Sequence, residues 1–298
     1  MINKYIKKIK TSKNPIVIGD IHGSYKQLKK MYKYSIKNDL LFIAVGDLID
    51  KGKENIKVIN FFIENNIESV LGNHEQMFIE CEEFFNEIIK LNKEKYSMEE
   101  SIFDSKMKES ILNLKFSDWW LNGGEKVFKE YKELEDNYKT LQRHLNWIKN
   151  LPIFIVVNID KKQYEITPLL VSHSLSTMYF NDIKKILIKE KNDLDSSKKF
   201  ILEELIYKTI WNRHKHTKSK QNKTGMFNIF GHTPVEIYNS KKYSNIEGKI
   251  IPKPEIDTNF KCAAIDTGCA CTIEKKARGY LTGLIYPSLE YKQYINKY

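Results

Sequence analysis

Three short strings in the first quarter of the chain carry carboxylate, imidazole and amide side chains. They are GDIHG at 19–23, GDLIDKG at 46–52 and GNHE at 72–75. Asp47 follows Asp20 by 27 positions, and Asn73 follows Asp47 by 26. That near-constant step is about the length of one strand–helix–strand repeat, roughly 30 residues. Such repeats would bring the three strings to one edge of a sheet, where we predict a metal site, and a double one.

Four of the seven histidines directly follow a predicted strand; they are His22, His74, His173 and His232. A single histidine is usually a surface or packing residue, and this interpretation is kept for His144, His214 and His216. Four histidines at strand exits, beside two aspartates and an asparagine, are hard to explain by packing. Buried carboxylates carry a heavy desolvation cost unless they are paired or bind a metal. A cation would supply that compensation.

The elements that must position these side chains can be predicted from hydrophobic patterning. Apolar runs that end in glycine predict buried strands at 15–19, at about 40–45 and just before Gly72. Helices are predicted after Ser24, over 55–64 and over 75–89, and the residues before Pro15 are interpreted as a basic leader. Repeated strand–helix order predicts a parallel or mixed sheet, with ligands outside the carboxyl ends of its strands.

Later segments extend this pattern. Residues 91–150 are charged and rich in aromatic residues, and we predict a helical insertion or cap. Its tryptophans are interpreted as packing between helices, with the lining of a substrate groove as the alternative. Residues 152–159 and 164–172 predict an antiparallel hairpin. A helical region to about 215, a polar loop over 214–224 and a strand at 227–230 lead to GHTP at 231–234. Further strands are predicted at 263–266, 271–273, 280–286 and 289–295.

Composition predicts an ordinary globular protein. The chain has 298 residues, 41% of them hydrophobic, and is interpreted as one domain over 1–298. Its net charge of +11 would suit an anionic partner, but lysine, asparagine and isoleucine abound throughout, as in AT-rich genomes. Nucleic acid is therefore not expected. Of the four cysteines, Cys262, Cys269 and Cys271 form a cluster that does not match structural zinc spacing, and these three are interpreted as buried free thiols. With no signal peptide or membrane-spanning run, we expect a cytoplasmic protein with no membrane partner.

The three strings, a later histidine and GHTP, in that order, resemble the calcineurin-like metallophosphoesterases. The nearest branch is the serine/threonine phosphoprotein phosphatases of bacteria and bacteriophage lambda. Further similarity lies at 76–77, 122–124, 211–213 and 265–268, so the matches run from residue 15 to about 270. The resemblance implies an α/β fold, namely a four-layer αββα sandwich with the helical insertion at about 91–150.

The resemblance also implies two divalent metal ions. One would be held by Asp20, His22 and Asp47. Asp47 would bridge to a second ion held also by Asn73, His173 and His232. A ligand set without thiolate suits manganese, iron, zinc or nickel, and manganese is expected first. The pair would ready a hydroxide for in-line attack on phosphorus.

Further catalytic and substrate-binding roles follow from the resemblance. His74 would be the general acid, and Asp50 would orient it and favour the imidazolium. Arg213 would grip phosphoryl oxygens, with Asn73 also touching substrate. Lys51 stands where that branch usually has arginine. Because lysine lacks the planar fork of arginine, we expect slower turnover or altered substrate choice.

The expected function is hydrolysis of phosphomonoesters, with phosphoserine and phosphothreonine proteins as substrates and small phosphoesters as surrogates. An alternative is a symmetrical dinucleoside tetraphosphatase, or another nucleotide or RNA phosphoesterase, because the DTGC string at 266–269 is similar to the dinucleoside tetraphosphatases. A third hypothesis is a non-catalytic scaffold that keeps the fold to bind a partner. The presence of every expected ligand and of His74 argues against it.

Overall fold

The computed structural model describes residues 2–85, 114–161, 165–175, 177–189, 195–213, 222, 224–235, 252–270 and 279–296. Its helices are α1 (Ile2–Tyr5), α2 (Tyr25–Lys37), α3 (Asn55–Glu64), α4 (Asn73–Glu80), α5 (Leu114–Trp119), α6 (Glu125–Lys132), α7 (Asn137–Lys149), α8 (Thr177–Lys189) and α9 (Ser196–Trp211). A π-helical turn, Trp120–Gly124, joins α5 to α6. The strands are β1 (Ile6–Thr11), β2 (Pro15–Ile18), β3 (Leu41–Ala44), β4 (Glu68–Ser69), β5 (Phe154–Ile159), β6 (Leu169–Ser172), β7 (Phe227–Phe230), β8 (Glu255–Asp257), β9 (Cys262–Ala264), β10 (Tyr280–Ile285) and β11 (Tyr291–Ile295).

The strands form two sheets. One has six strands in the order β1-β5-β6-β7-β9-β8, and the other has five in the order β11-β10-β2-β3-β4. In the five-stranded sheet β2, β3 and β4 are parallel, whereas β10 runs antiparallel to β2. The predicted mixed sheet is therefore confirmed, as are the strand at 227–230 and the hairpin formed by β5 and β6.

The sheets pack face to face with helices outside, and alternation along each strand produces the layers. Val17 of β2 and Ile155 of β5 belong to one buried cluster that joins the two sheets. The neighbouring Ile16 and Phe154 belong instead to the cluster that the helices cover. Strands buried on both faces read as continuous apolar runs, which is why β2, β3 and β6 were visible in the sequence. The expected α/β sandwich is confirmed.

The interpretation of the first residues as a leader is wrong. Ile6–Thr11 forms β1, an edge strand paired in parallel with β5. Its lysines interrupt the apolar pattern from which strands were predicted, because edge strands commonly carry charge on their exposed face. Lys7, for example, pairs with Glu68 of β4 at 2.5 Å. Strand β8 was also not predicted, and the strand predicted at 271–273 lies outside the described residues.

From α5 to α7 the predicted insertion is helical apart from a turn at 133–136, and residues 91–113 lie outside the described part of the chain. Its aromatic side chains pack against α4, as expected. Trp119 is fully buried beside Phe85, with ring centroids 5.1 Å apart, and Tyr131 stacks on Phe78 at 5.9 Å. His144 is a packing residue, as interpreted, since its Nδ1 lies 2.6 Å from the Tyr131 hydroxyl.

Two further expectations concern the described residues. Of the cysteines interpreted as buried free thiols, Cys262 is one and Cys269 is buried, whereas Cys271 lies outside the described residues. Among the described residues, no helix is long and apolar enough to cross a bilayer.

Candidate metal centre

The turns after five strands meet at one buried site. They follow β2, β3, β4, β6 and β7 and carry Asp20 with His22, Asp47, Asn73, His173 and His232 respectively. Several of these turns adopt left-handed backbone, with φ of 47° at His22, 49° at Asp47 and 72° at His232. Non-glycine residues rarely adopt such angles, and the strain concentrates at functional sites.

Asp47 lies at the centre of the site and is 1% exposed. Its Oδ1 is 3.3 Å from Nε2 of His173, while its Oδ2 is 3.7 Å from Nε2 of both His22 and His74. Its carboxylate therefore belongs to two groups of potential ligands, one with His22 and His74 and one with His173 and His232. Within each group the ligand atoms lie within 4.8 Å of one another.

The histidines present lone pairs to this carboxylate. Nδ1 of His22 donates to the carbonyl of Ile49, and Nδ1 of His173 donates to that of Val45, each at 2.7 Å. Burial lowers the pKa of His173 to about 4 and that of His22 well below its ordinary value, so both rings are neutral. A neutral ring that donates through Nδ1 has only an acceptor at Nε2. Two hydrogen-bond acceptors that face each other, such as Nε2 and a carboxylate oxygen, repel unless a cation lies between them. A backbone carbonyl that accepts from the other ring nitrogen commonly orients a metal-binding histidine.

The second group is tighter than the first. Oδ1 of Asn73 lies 2.8 Å from Nε2 of His173 and 2.9 Å from Nδ1 of His232, and the two ring nitrogens are 3.1 Å apart. Burial lowers the pKa of His232 to about 2. Three uncharged ligand atoms thus converge beside Oδ1 of Asp47. This donor set of oxygen and imidazole nitrogen could hold a divalent metal.

Asp20 completes the site from the end of β2. Both its oxygens accept from the His232 N–H at 3.1 Å. Burial, followed by the charges of Asp266 and Asp47, raises the pKa of Asp20 well above its usual value. The close fit depends on Gly231, because a Cβ there would lie 2.0 Å from Oδ1 of Asp20.

Two buried acids at the site were missed as site residues. Asp266 follows β9, and burial raises its pKa to about 6; the strand-exit pattern that identified Asp20 would have found it. Glu75 accepts from the backbone N–H groups of Asp47, Leu48 and Gly72, at 2.8, 2.8 and 3.1 Å, and so fixes the turn after β3. Glu75 could have been found from the sequence because it is the last residue of the GNHE string, and it lies in the first turn of α4.

His74 and Asp50 form a buried pair. Nδ1 of His74 lies 2.5 Å from Oδ2 of Asp50, so the predicted orienting contact is present. The predicted gain in imidazolium is wrong. Burial, followed by the charges of His22 and Lys51, lowers the pKa of His74 well below its usual value. Burial also raises the pKa of Asp50, which weakens the carboxylate's support for a charged ring.

The two predicted phosphate-binding cations lie at the solvent side of the site. Lys51 is partly exposed, and its Nζ is 3.0 Å from Nε2 of His22. Arg213 is exposed just beyond α9; burial raises the pKa of Asp47, and the charge of Arg213 offsets part of that rise. All ten predicted site residues are therefore assembled around Asp47, with Arg213 outermost.

A comparison with protein families matches residues 15–257 to the calcineurin-like phosphoesterase model. A symmetrical bis(5'-nucleosyl)-tetraphosphatase of Wigglesworthia glossinidia brevipalpis is 44% identical over 64 residues, which are 20% of this chain and 23% of that protein. Serine/threonine-protein phosphatase 2 of Escherichia coli is 44% identical over 68 residues, or 22% and 31% of the two chains. The match thus spans less than a third of either relative.

Among solved structures, one named as a candidate diadenosine tetraphosphatase aligns with 98% of this chain and 99% of its own. The TM-score is 0.50 and the identity 14%, so this likeness concerns the fold alone.

The glycine against Asp20 provides a test of the site geometry. Gly231→Ala should displace the Asp20 carboxylate, and we expect Mn²⁺ binding about 10–100-fold weaker by isothermal titration calorimetry, the range seen when a ligand's support is lost. Gly225, at the other end of β7, has open space around its Cβ position but a φ of +76°. Gly225→Ala should therefore cost about 1 kcal/mol of stability and leave Mn²⁺ affinity unchanged. A folded Gly231→Ala variant with wild-type affinity would contradict the placement of Asp20.

Proposed function

The chain belongs to the calcineurin-like phosphoesterase family, and we propose that it is a metal-dependent phosphomonoester hydrolase acting on phosphoserine and phosphothreonine in proteins. One feature carries the proposal: a single carboxylate, Asp47, lies between two groups of neutral ligands, with the His74–Asp50 pair beside it.

Two divalent ions fit this donor set, with manganese expected first and iron, zinc or nickel as alternatives. The first would be held by Asp20, His22 and Asp47, and the second by Asp47, Asn73, His173 and His232. When bound, the pair would supply Lewis acidity and lower the pKa of a water molecule. No protein nucleophile is then required.

The chain itself would bind and orient the phosphoryl group. Lys51 and Arg213 are the cations on the solvent side, and the amide of the buried Asn73 would also touch the substrate. A charge-assisted hydrogen bond to a phosphoryl oxygen contributes about 1.5–3 kcal/mol. Arg213 can offer two parallel N–H donors, whereas Lys51 offers a point charge.

His74 would protonate the leaving oxygen. With its Nδ1–H donated to Asp50, the ring carries a proton on Nε2 only as the imidazolium, a form that the negative charge of a bound phosphoryl group would favour. Nε2 is the atom available to a substrate, and transfer of its proton would leave the neutral ring. That Nε2 lies 3.7 Å from Oδ2 of Asp47, at the centre of the site. The ester oxygen of a substrate bound there would take this proton as its bond to phosphorus breaks.

The second candidate function is hydrolysis of a symmetrical dinucleoside tetraphosphate. It is favoured by the Wigglesworthia relative, which is as similar to this chain as the protein phosphatase of E. coli. The DTGC string also places Asp266 close enough to Asp20 for its charge to raise the Asp20 pKa. Both candidates use the same buried ligands and differ in what lies beyond the phosphoryl group.

Parallel assays separate the candidates. We expect the Mn²⁺-loaded protein to hydrolyse a phosphothreonine peptide with a higher kcat/KM than diadenosine tetraphosphate, measured by release of phosphate and by chromatography of nucleotides. Treatment with a chelator should abolish both activities, and Mn²⁺ should restore them. Faster cleavage of the tetraphosphate would establish the alternative. Inactivity toward both substrates with two ions bound would support the scaffold hypothesis.

The lysine at position 51 gives a second test. Lys51→Arg should raise kcat/KM for a phosphomonoester, because the guanidinium can grip two oxygens. Lys51→Met should lower it about 10-fold or more, the equivalent of one charge-assisted hydrogen bond. Lys53→Met is the matched control, since Lys53 is exposed two residues away and should have no effect. Unchanged kcat/KM in both Lys51 variants would rule out Lys51 as a phosphate ligand.

A further inference from the structure

The orienting carboxylate of the His74–Asp50 pair has a second partner, which comes from the helical insertion. Asp50 is 0% exposed, and its two oxygens are divided between two contacts. Oδ2 lies 2.5 Å from Nδ1 of His74, and Oδ1 accepts from the indole N–H of Trp119 at 3.1 Å. Because both oxygens belong to one rigid plane, the indole contact sets the rotation of the carboxylate. It thereby sets the direction in which Oδ2 meets the imidazole.

The Trp119 ring is itself held firmly. It is 0% exposed, and its centroid lies 5.1 Å from that of Phe85 and 6.0 Å from that of Phe78, both on the α4 side of the insertion. On its other side is Gly124, where a Cβ would lie 2.2 Å from the indole. The π-helical turn that begins at Trp120 makes this approach possible, and such turns often occur at functional sites. The indole N–H therefore points in a fixed direction.

The backbone at Asp50 needs support of this kind. Its φ is 74° and that of Lys51 is 27°, both in the left-handed region that non-glycine residues rarely adopt. The insertion also contacts the next residue of this loop, because Lys126 donates to the Lys51 carbonyl and Gly123 packs against the Lys51 amide. Strained loop conformations persist only when surrounding contacts hold them.

The same loop is held where α3 begins. The carboxylate of Glu130, on α6, accepts from the backbone N–H groups of Asn55 and Ile56, each at 2.9 Å. Residues 119–130 thus contact the loop at residues 50, 51, 55 and 56. Of these contacts, only the one from Trp119 reaches a side chain that touches His74.

We propose that Trp119 is a positioning residue for the reaction: its indole N–H orients Asp50, which in turn orients His74 toward the leaving oxygen. This inference rests on the proposed function, in which His74 is the general acid. It assigns the helical insertion a task beyond packing, namely to align the acid of the reaction.

Kinetics on two esters test the proposal. Trp119→Phe keeps an aromatic ring and removes the N–H, so the acid should be misaligned while the metal ligands remain. We expect kcat for phenyl phosphate, a poor leaving group, to fall by up to about 10²-fold, as misplacement of a catalytic group can cause. The fall should be smaller for 4-nitrophenyl phosphate, whose leaving group needs little protonation, and KM and Mn²⁺ content should not change. His74→Asn should also lower kcat more for phenyl phosphate than for 4-nitrophenyl phosphate, and its fall in kcat should be larger, about 10²–10⁴-fold.

Trp120→Phe is the matched control. Trp120 is the next residue, partly buried against Phe116 and Phe128, with ring centroids 5.2 and 5.7 Å away. Its substitution should leave the ratio of the two ester rates unchanged. If Trp119→Phe does not fold, replacement of Trp119 by 3-benzothienylalanine carries the test, since that residue keeps the two fused rings and has sulfur in place of the N–H.

A second measurement does not depend on activity. A histidine Nδ1–H bonded to a carboxylate gives a proton resonance far downfield, and the signal absent from His74→Asn identifies that of His74. We expect it to shift or vanish in Trp119→Phe and to persist in Trp120→Phe. A wild-type resonance or a wild-type ester ratio in folded Trp119→Phe would overturn the proposal. Wild-type protein inactive on both esters would instead refute the proposed function, and the resonance would still decide whether Trp119 positions His74.

Discussion

Three buried carboxylates, those of Asp20, Asp47 and Asp266, lie together among neutral imidazoles. The free energy of removing these carboxylates from water is the constraint on which the rest of the structure depends. Burial raises the pKa of Asp47 and of Asp266 to about 6, and that of Asp20 well above its usual range. Isolated buried charges cost several kcal/mol each after relaxation. Lys51 reduces this cost but lies on the solvent side. Divalent cations would remove it, and the arrangement of the ligands is explained most simply by their presence.

Two packed sheets make this concentration of charge possible. Strands that are buried on both faces leave room for polar side chains only at their ends, where the chain turns, and five such turns meet at one edge of the sandwich. Left-handed residues such as His22, Asp47 and His232 turn the backbone sharply enough to aim side chains inward. Glu75 secures one of these turns through three backbone N–H groups. The apolar core thus makes the scaffold rigid, and the turns carry the polar side chains of the candidate site.

Much of this arrangement could be predicted from local pattern. Apolar runs that end in glycine located β2 and β3, and polar residues at strand exits located Asp20, Asp47 and the histidines that cluster with them. Two of the misses, strand β1 and the role of Trp119, have a common cause, which is contact between distant parts of the chain. Strand β1 is defined by its pairing with β5, and Trp119 is tied to Asp50 by a bond across 69 positions. The pKa of His74 was misjudged because one neighbouring carboxylate was considered and burial was not.

The central claim is that Asp47 joins two metal positions. Anomalous diffraction from crystals grown with Mn²⁺ tests it most directly, since manganese scatters anomalously and its positions can be located without assumption. The account predicts two peaks on either side of the Asp47 carboxylate, one beside Asp20 and His22 and one beside His173 and His232. A single peak, or peaks that do not touch Asp47, would contradict it.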